Sequence, residues 1–346
     1  MPAAPRRAAI CTLLSIGLAA ASAPPPRATP TLETDPRADV ADAAVAPAVW
    51  TNSRDPAASL ILGTHARTGV VAFDLGGRAT QILDLPGADQ IALCSLPGGT
   101  GIAAVSLRGQ PALAFVEISA AGKLSLAPGL SIALPAPTPT AVALAPGVDA
   151  SALDCVVALP GGAIEHHRLT PAPDGSRSAA RATTFKHPAE VGAVAVHAGN
   201  VLVGDATGAI WRYPVQGGQP GAAVVPPTPK ALIKPVIGLA TFVHADGSGY
   251  LLATFDRSTQ VVLYDLRTFE RLRVFGIERT ASVDEVQYPG EIAASAAALG
   301  ATMPFGCVVV QDADNEGQGP NFKVLAWEAV ARSVRPPLPL RPAGAK

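Results

Sequence analysis

Two stretches of this chain hold closely spaced oxygen side chains of the kind a hard cation takes. Asp312-Ala313-Asp314-Asn315-Glu316 alternates them as a calcium loop does, although the following Gly and distal Glu of an EF-hand are missing. One reading is a single structural Ca²⁺; the other is a polar turn. Glu278 and Asp284-Glu285 lie in a second polar loop, either a cation site or a solvated connection. The histidines offer less. His65, His187, His197 and His244 are scattered without H-x-x-x-H or H-E-x-x-H spacing, so no zinc site follows from them. His166 and His167 are neighbours in a strand-like run and point to opposite faces. They cannot close on one metal from that strand, and the expectation is one half-buried ring and one solvated ring. Gly76-Gly77, Gly161-Gly162 and Gly217-Gly218 read as hairpin turns rather than phosphate loops, because no helical pattern follows them. There is no G-x-S-x-G nucleophile motif.

The elements that must position these residues are repeated. Near the end of the chain, Cys307–Val310 is a short β-branched run, 313–320 is rich in Asp, Asn, Gly and Pro, and Lys323–Glu328 resumes a strand pattern. The same pair of strands recurs at Ser59–Thr64 with Gly69–Leu75, Gly101–Ser106 with Ala112–Ile118, and Asp154–Leu159 with Ala163–Leu169. It recurs again at Asn200–Gly204 with Ala209–Val215, and Tyr250–Thr254 with Gln260–Leu266. A third apolar segment precedes each pair: Ala44–Trp50, Ala88–Leu93, Thr140–Ala145, Val191–Val196, Val236–Val243 and Glu291–Leu299. The period is about 45 to 60 residues, near that of propeller blades. Six such units, none able to bury both faces alone, predict an all-β, six-bladed β-propeller. A β-sandwich is the weaker alternative, because the spacing is too even.

Composition narrows the function classes. Net charge is −1, so no global field draws in nucleic acid or an anionic membrane. The 33 Gly and 34 Pro suit a chain of many turns. Arg6-Arg7, the apolar Ala8–Ala21 and the small-x-small Ala21-Ser22-Ala23 predict a signal peptide over 1–23 and hence a secreted or periplasmic protein. The apolar run is too short for a membrane span. Residues 24–43 read as a linker, 44–331 as the propeller and 332–346 as a disordered tail. Cys94, Cys155 and Cys307 all lie in apolar runs with no zinc spacing, and read as buried small hydrophobes with one disulfide open. No feature asks for an oligomer, and a monomer is expected.

Longer strings then carry a resemblance. PFGCVVVQDADNEGQGPNFKVLAWEAVA is similar to the closing blade of the β-propeller phytases, which runs P-x-G-x-F-V-x-Q-D-G, a polar insert, N-F-K and Trp. APAVWTNSRDPAASLILGTHARTGVVAFDLGGR (46–78) resembles that family's first blade, and DGSGYLLAT (246–254) and AIWRYPV (209–215) resemble parts of others. The resemblance spans about residues 39 to 331. It implies a calcium-dependent phosphatase of inositol hexakisphosphate, with carboxylates at one end of the channel holding several Ca²⁺ that bind phosphates and activate water.

On those positions the chain departs from the family. Asp-Asp before Pro-Ala is Val45-Ala46, Asp-Lys after Gly-Thr is His65-Ala66, and N-N-V-D is Asp89-Gln90-Ile91-Ala92. Glu-Gly is Val191-Gly192, Ala-Glu-Glu is Gly204-Asp205-Ala206, Asp-x-Glu-Gly-Leu is Pro235–Leu239, and Thr-Asp-Gly-Ile is Tyr288–Ile292. What the resemblance retains is Arg108 at an arginine position, Asp205 from the acidic pair, Asp312 in the Q-D turn, and Asn321 with Lys323 in N-F-K. It implies Arg108 and Lys323 as substrate-binding residues and Asp312 with Asp205 as a weakened calcium site, to which the polar loop adds Glu278. The expectation is a degenerate phytase binding an anionic small molecule such as an inositol phosphate. The alternatives are a working 3-phytase-like phosphomonoesterase and, with less to carry it, a one-metal hydrolase on the same propeller.

Overall fold

A computed structural model of the chain describes residues 25–36, 44–135, 138–149, 151–217, 221–227, 229 and 234–341. The strands run β1 (Arg27–Ala28), β2 (Leu32–Glu33), β3 (Ala44–Trp50), β4 (Leu60–His65), β5 (Gly69–Phe73), β6 (Ala79–Asp84), β7 (Ala88–Leu96) and β8 (Thr100–Leu107). They continue β9 (Ala112–Ile118), β10 (Leu124–Ala133), β11 (Ala141–Pro146), β12 (Leu153–Leu159), β13 (Ala163–Pro171), β14 (Arg177–Lys186), β15 (Val191–His197) and β16 (Asn200–Asp205). The last are β17 (Ile210–Pro214), β18 (Ala222–Val225), β19 (Val236–Val243), β20 (Gly249–Phe255), β21 (Val261–Asp265), β22 (Arg271–Ile277), β23 (Pro289–Ser295), β24 (Cys307–Asp312) and β25 (Asn321–Ala326), followed by helix α1 (Trp327–Ser333). Blades one to five are β3–β6, β7–β10, β11–β14, β15–β18 and β19–β22, and blade six is built on β23–β25. The first strand of each blade packs on the first strand of the next, and β23 packs on β3, so the ring closes. The chain is a six-bladed β-propeller.

Both ends of the chain help to close it. β2 pairs antiparallel with β25 and gives blade six its fourth strand. β1 pairs in parallel with β22 as a fifth strand of blade five. These strands fall inside 24–43, so the described part of that stretch is blade rather than linker. Two-residue strands have no periodicity for a sequence to display. At the other end α1 runs into the expected tail, Val334 is buried, and Leu338 and Leu340 pack on the core between blades five and six. The expected signal segment 1–23 lies outside the described residues.

Each inter-blade core is a sandwich of two facing sheets. Trp327 stacks on Phe242 with ring centroids 4.1 Å apart and lies 5.0 Å from Tyr250, joining blades six and five. Leu62 and Val70 of blade one meet Ile91 and Val105 of blade two. Contact is close enough that a Cβ on Gly63 would sit 2.2 Å from the Phe322 ring. Cys94, Cys155 and Cys307 are free thiols within these cores. Burial pushes the last two up to about 12, so they stay protonated at neutral pH.

One feature of the inner strands positions the site. The ladder between first and second strand slips at Ala44/Pro47, Ala88/Ile91, Val191/Ala193, Val236/Gly238 and Pro289/Ile292. Five blades thus carry a β-bulge at the same end of the channel, which turns bulge side chains toward the mouth. Blade three lacks it, since Ala141–Pro146 pairs with Ala158–Leu153 without a break.

Candidate functional site

Below the bulges the channel is apolar. A cavity of ≈ 160 Å³ is lined by three residues from each inner strand, Pro47–Val49, Ile91–Leu93, Val142–Leu144, Val194–Val196, Leu239–Thr241 and Ile292–Ala294, with Thr241 their only polar side chain. Chemistry is therefore confined to the bulges above it. Val45-Ala46 occupy the bulge of blade one, Gly192 that of blade four and Ile237 that of blade five. Asp89-Gln90 in blade two and Gly290-Glu291 in blade six carry the functional groups.

Second strands hold these bulges in place. Thr64, near the end of β4, accepts from Ala46 N at 3.0 Å and donates to the Asp89 carbonyl. Ser106, near the end of β8, accepts from Gln90 N at 2.9 Å. Gln311 on β24 accepts from Glu291 N at 3.2 Å and donates to Ala44 O of blade one at 2.7 Å. Thr254 on β20 donates to Gly290 O of blade six at 2.7 Å. Polar side chains thus satisfy backbone groups that the bulges leave without ladder partners, and link neighbouring blades.

Electrostatics at the mouth are close to neutral. Arg108 donates through Nε to Asp89 Oδ1 at 2.8 Å, and its Nη2 lies 2.7 Å from the same oxygen. The Arg108 side chain is 52% exposed and that of Asp89 only 10%, so the guanidinium faces solvent over a buried carboxylate. Glu291 is half-buried. Burial, and to a lesser extent the Asp89 charge, pushes its carboxyl up to about 8 against a hydrogen bond from Gln90. At neutral pH it is mainly a protonated donor. Glu291 is not among the site residues expected from the sequence, where its one signal is a lone acid at the head of an otherwise apolar inner strand.

The other expected site residues lie elsewhere. Lys323 on β25 is fully buried. Its ammonium is caged by the Glu33, Asp284 and Asp312 carboxylates and by the amide oxygens of Asn315, 2.8 Å away, and Asn321, 3.0 Å away. It is a structural cation and is not offered to a ligand. Asp312 contributes to that cage at 3.2 Å. Burial raises its carboxyl above the usual range, only partly opposed by Lys323, while the Lys323 ammonium is itself held up by its acidic partners despite burial. Burial dominates at Asp312, whereas the carboxylates around the ammonium account for the raised Lys323. The Asp312–Glu316 run is thus filled by protein cations, since Glu316 pairs with Arg279.

Asp205 sits under the turn after β16. It accepts from Thr207 N, Thr207 Oγ1 and Ala209 N through Oδ1, and bonds His187 Nε2 and Trp211 Nε1, each at 3.0 Å, through Oδ2. Burial alone would raise it, but these bonds hold it below the ordinary carboxylate range. Glu278 accepts from Thr29 Oγ1 in an exposed pair. Asp312, Asp205 and Glu278 do not converge, and among the described residues no group of three or more His, Cys, Asp or Glu side chains stands together to hold a metal. His166 and His167 are both buried, paired with Asp154 and Glu165 at 2.9 Å each, which corrects the expectation of one solvated ring. Acid partners on both faces of blade three let both rings be buried.

The family described as Phytase matches residues 8–95 and 151–340. The chain belongs to the phytase family. A 3-phytase of Bacillus subtilis (strain 168) is 26% identical over 320 residues, covering 87% of this chain and 84% of the relative. Two crystal structures of BBS1N in complex with ARL6DN, soaked with lead and with mercury, match at 12% identity with TM-scores of 0.48 and 0.49. They cover 77% and 87% of this chain, and 75% and 97% of theirs. The family match breaks over 96–150, the segment that carries Arg108.

Phytases of this family are calcium-dependent, so the fit of the donors here matters. Asp89 is neutralised by Arg108, Glu291 is protonated near neutral pH, Asp205 accepts five hydrogen bonds, and Asp312 faces a buried ammonium. A multi-calcium cluster needs several ionised carboxylates converging on shared oxygens. These residues do not fit one.

Proposed function

We propose that this phytase-family propeller binds a phosphorylated small molecule, such as an inositol phosphate, at its channel mouth without calcium-driven hydrolysis. The reading rests chiefly on one observation: the two acids at the mouth are an Arg-paired Asp89 and a Glu291 that keeps its proton to about pH 8. Arg108 supplies a half-exposed guanidinium. Protonated Glu291 and the Gln90 amide supply neutral donors to phosphoryl oxygens. Such a set attracts an anion and gives a cation little.

Export is part of the same reading, supported by Arg6-Arg7, the apolar run after them and Ala21-Ser22-Ala23. Among the described residues no helix is long and apolar enough to cross a membrane. We expect the mature chain, 24–346, to act as a monomer. The second reading, calcium-dependent 3-phytase activity, is favoured by the 26% identity over 87% of the chain.

The deciding experiment measures both binding and release. Inositol hexakisphosphate is titrated into the mature chain by calorimetry, and phosphate release is followed with and without millimolar Ca²⁺. Saturable binding that Arg108→Ala weakens, with no calcium-dependent release, is the expected result. Calcium-dependent turnover would assign the family's hydrolysis to this chain and overturn the binding-only reading.

A further inference from the structure

We propose that a groove on the outer edge of blade five, remote from the channel mouth, is a second binding site for a phosphate or phosphate-monoester oxyanion held by Arg271, Arg273 and Arg335. The argument begins with strand pairing. β22 runs from Arg271 to Ile277, and β1 covers its outer edge only at Gly276 and Ile277. On the inner side β21 pairs as far as Arg271. Below β1, the outer ladder groups of β22 therefore face no strand among the described residues. The groove there has a volume of ≈ 720 Å³, and Pro26 and Gln260 line it together with the arginines.

Charge is the second step. No acidic residue lines the groove. Three guanidiniums around one hollow repel each other unless an anion joins them. Two are fixed by backbone carbonyls, which orient a guanidinium but do not neutralise it. Arg273 donates from Nη1 to Leu272 O at 2.6 Å and from Nη2 to Pro336 O at 3.4 Å. Arg335 donates from Nη1 to Arg332 O at 2.7 Å and Val334 O at 3.2 Å.

Ligand chemistry is the third step. An oxyanion carries several acceptor oxygens, each able to take a charge-assisted hydrogen bond from a guanidinium. A guanidinium fork matches phosphate geometry, and three of them suit a dianion. The volume exceeds what inorganic phosphate fills, which leaves room for the organic part of an ester or for a lipid glycerol.

The test uses the full mature chain at low ionic strength, with inorganic phosphate, phenyl phosphate and vesicles of phosphatidylglycerol in phosphatidylcholine as probes. Arg271→Gln, at an exposed position, is made in an Arg108→Ala background, so that the mouth does not compete for the probes. We expect saturable binding in Arg108→Ala that Arg271→Gln weakens on the order of tenfold. Vesicle binding with the same sensitivity would place the phosphate on a lipid headgroup. Should Arg271→Gln fail to fold, Gln260→Glu sets a carboxylate in the groove and must abolish binding. No saturable binding to any probe, binding in Arg108→Ala that Arg271→Gln leaves unchanged, or wild-type binding lost with Arg108→Ala, overturns the proposal. The last outcome would return the anion to the mouth, so the two readings fail separately.

Discussion

Two clusters at the same end of this propeller share a recipe and differ in outcome. At the channel mouth Asp89 and Glu291 stand with Arg108; at the top of blade six Glu33, Asp284 and Asp312 stand with Lys323. Arg108 is half exposed and Lys323 is fully buried. In the buried cluster the cation is enclosed by five oxygen-bearing side chains, and nothing is left for a ligand. In the open cluster one acid is paired, the other holds its proton, and the guanidinium still faces water. Burial, rather than residue type, separates a structural ion cluster from a ligand site here.

The largest effect expected from this contrast is on stability. Lys323→Met removes the one cation among three carboxylates and leaves them uncompensated, which should cost about 3–5 kcal/mol. Arg108→Ala removes a half-exposed cation from the one buried carboxylate of Asp89 and should cost less, about 1–3 kcal/mol. Urea denaturation of both variants measures the difference. Similar losses would dissolve the distinction between the clusters.

A smaller effect is expected at Asp205, whose carboxylate resembles a metal ligand in sequence and a turn staple in structure. Asp205→Asn replaces one acceptor oxygen by a donor facing either the His187 and Trp211 ring nitrogens or the Thr207 and Ala209 amides. Leaving such groups unsatisfied costs about 1–3 kcal/mol. Calcium titrated into wild type and variant should raise their melting temperatures equally or not at all. A calcium-induced rise in wild type that the variant loses would make Asp205 a ligand and extend the acidic site into blade four.

Much of the architecture was legible because inner and second strands are apolar runs at an even period. The outer strands were not. Ala79–Asp84 and Arg177–Lys186 are largely exposed, so neither shows the apolar alternation by which a strand is read. β1 and β2 are too short to show any pattern, and their partners lie some 250 and 290 residues away along the chain. At the site, the apolar residues standing at acidic positions of the family in blades one, four and five were visible as Val45-Ala46, Val191 and Ile237. The fate of the surviving charges was not, because burial and pairing decide it. Lys323 reads as a ligand-binding lysine until Glu33, Asp284 and Asp312 are seen around it, and Asp284 and Glu33 come from other parts of the chain.

The finest test of the contrast is the pH dependence that Glu291 should impose. Its carboxyl is raised from 4.5 to about 8 in the folded protein. The folded state therefore holds this proton more tightly than the unfolded chain does. Its stabilising contribution is whole below about pH 4.5 and is lost as pH rises toward 8, because the unfolded chain ionises first. Glu291→Gln keeps the shape and the donor of the protonated acid but cannot ionise. The melting temperature of the variant minus that of wild type, followed between about pH 5 and 9, should therefore climb in favour of the variant and level off above about 8. Taking the difference cancels the other titrating groups, including the Lys323 cluster. A flat difference would mean that Glu291 ionises like a surface carboxylate. The mouth would then carry an unpaired negative charge, and a cation would become its better ligand.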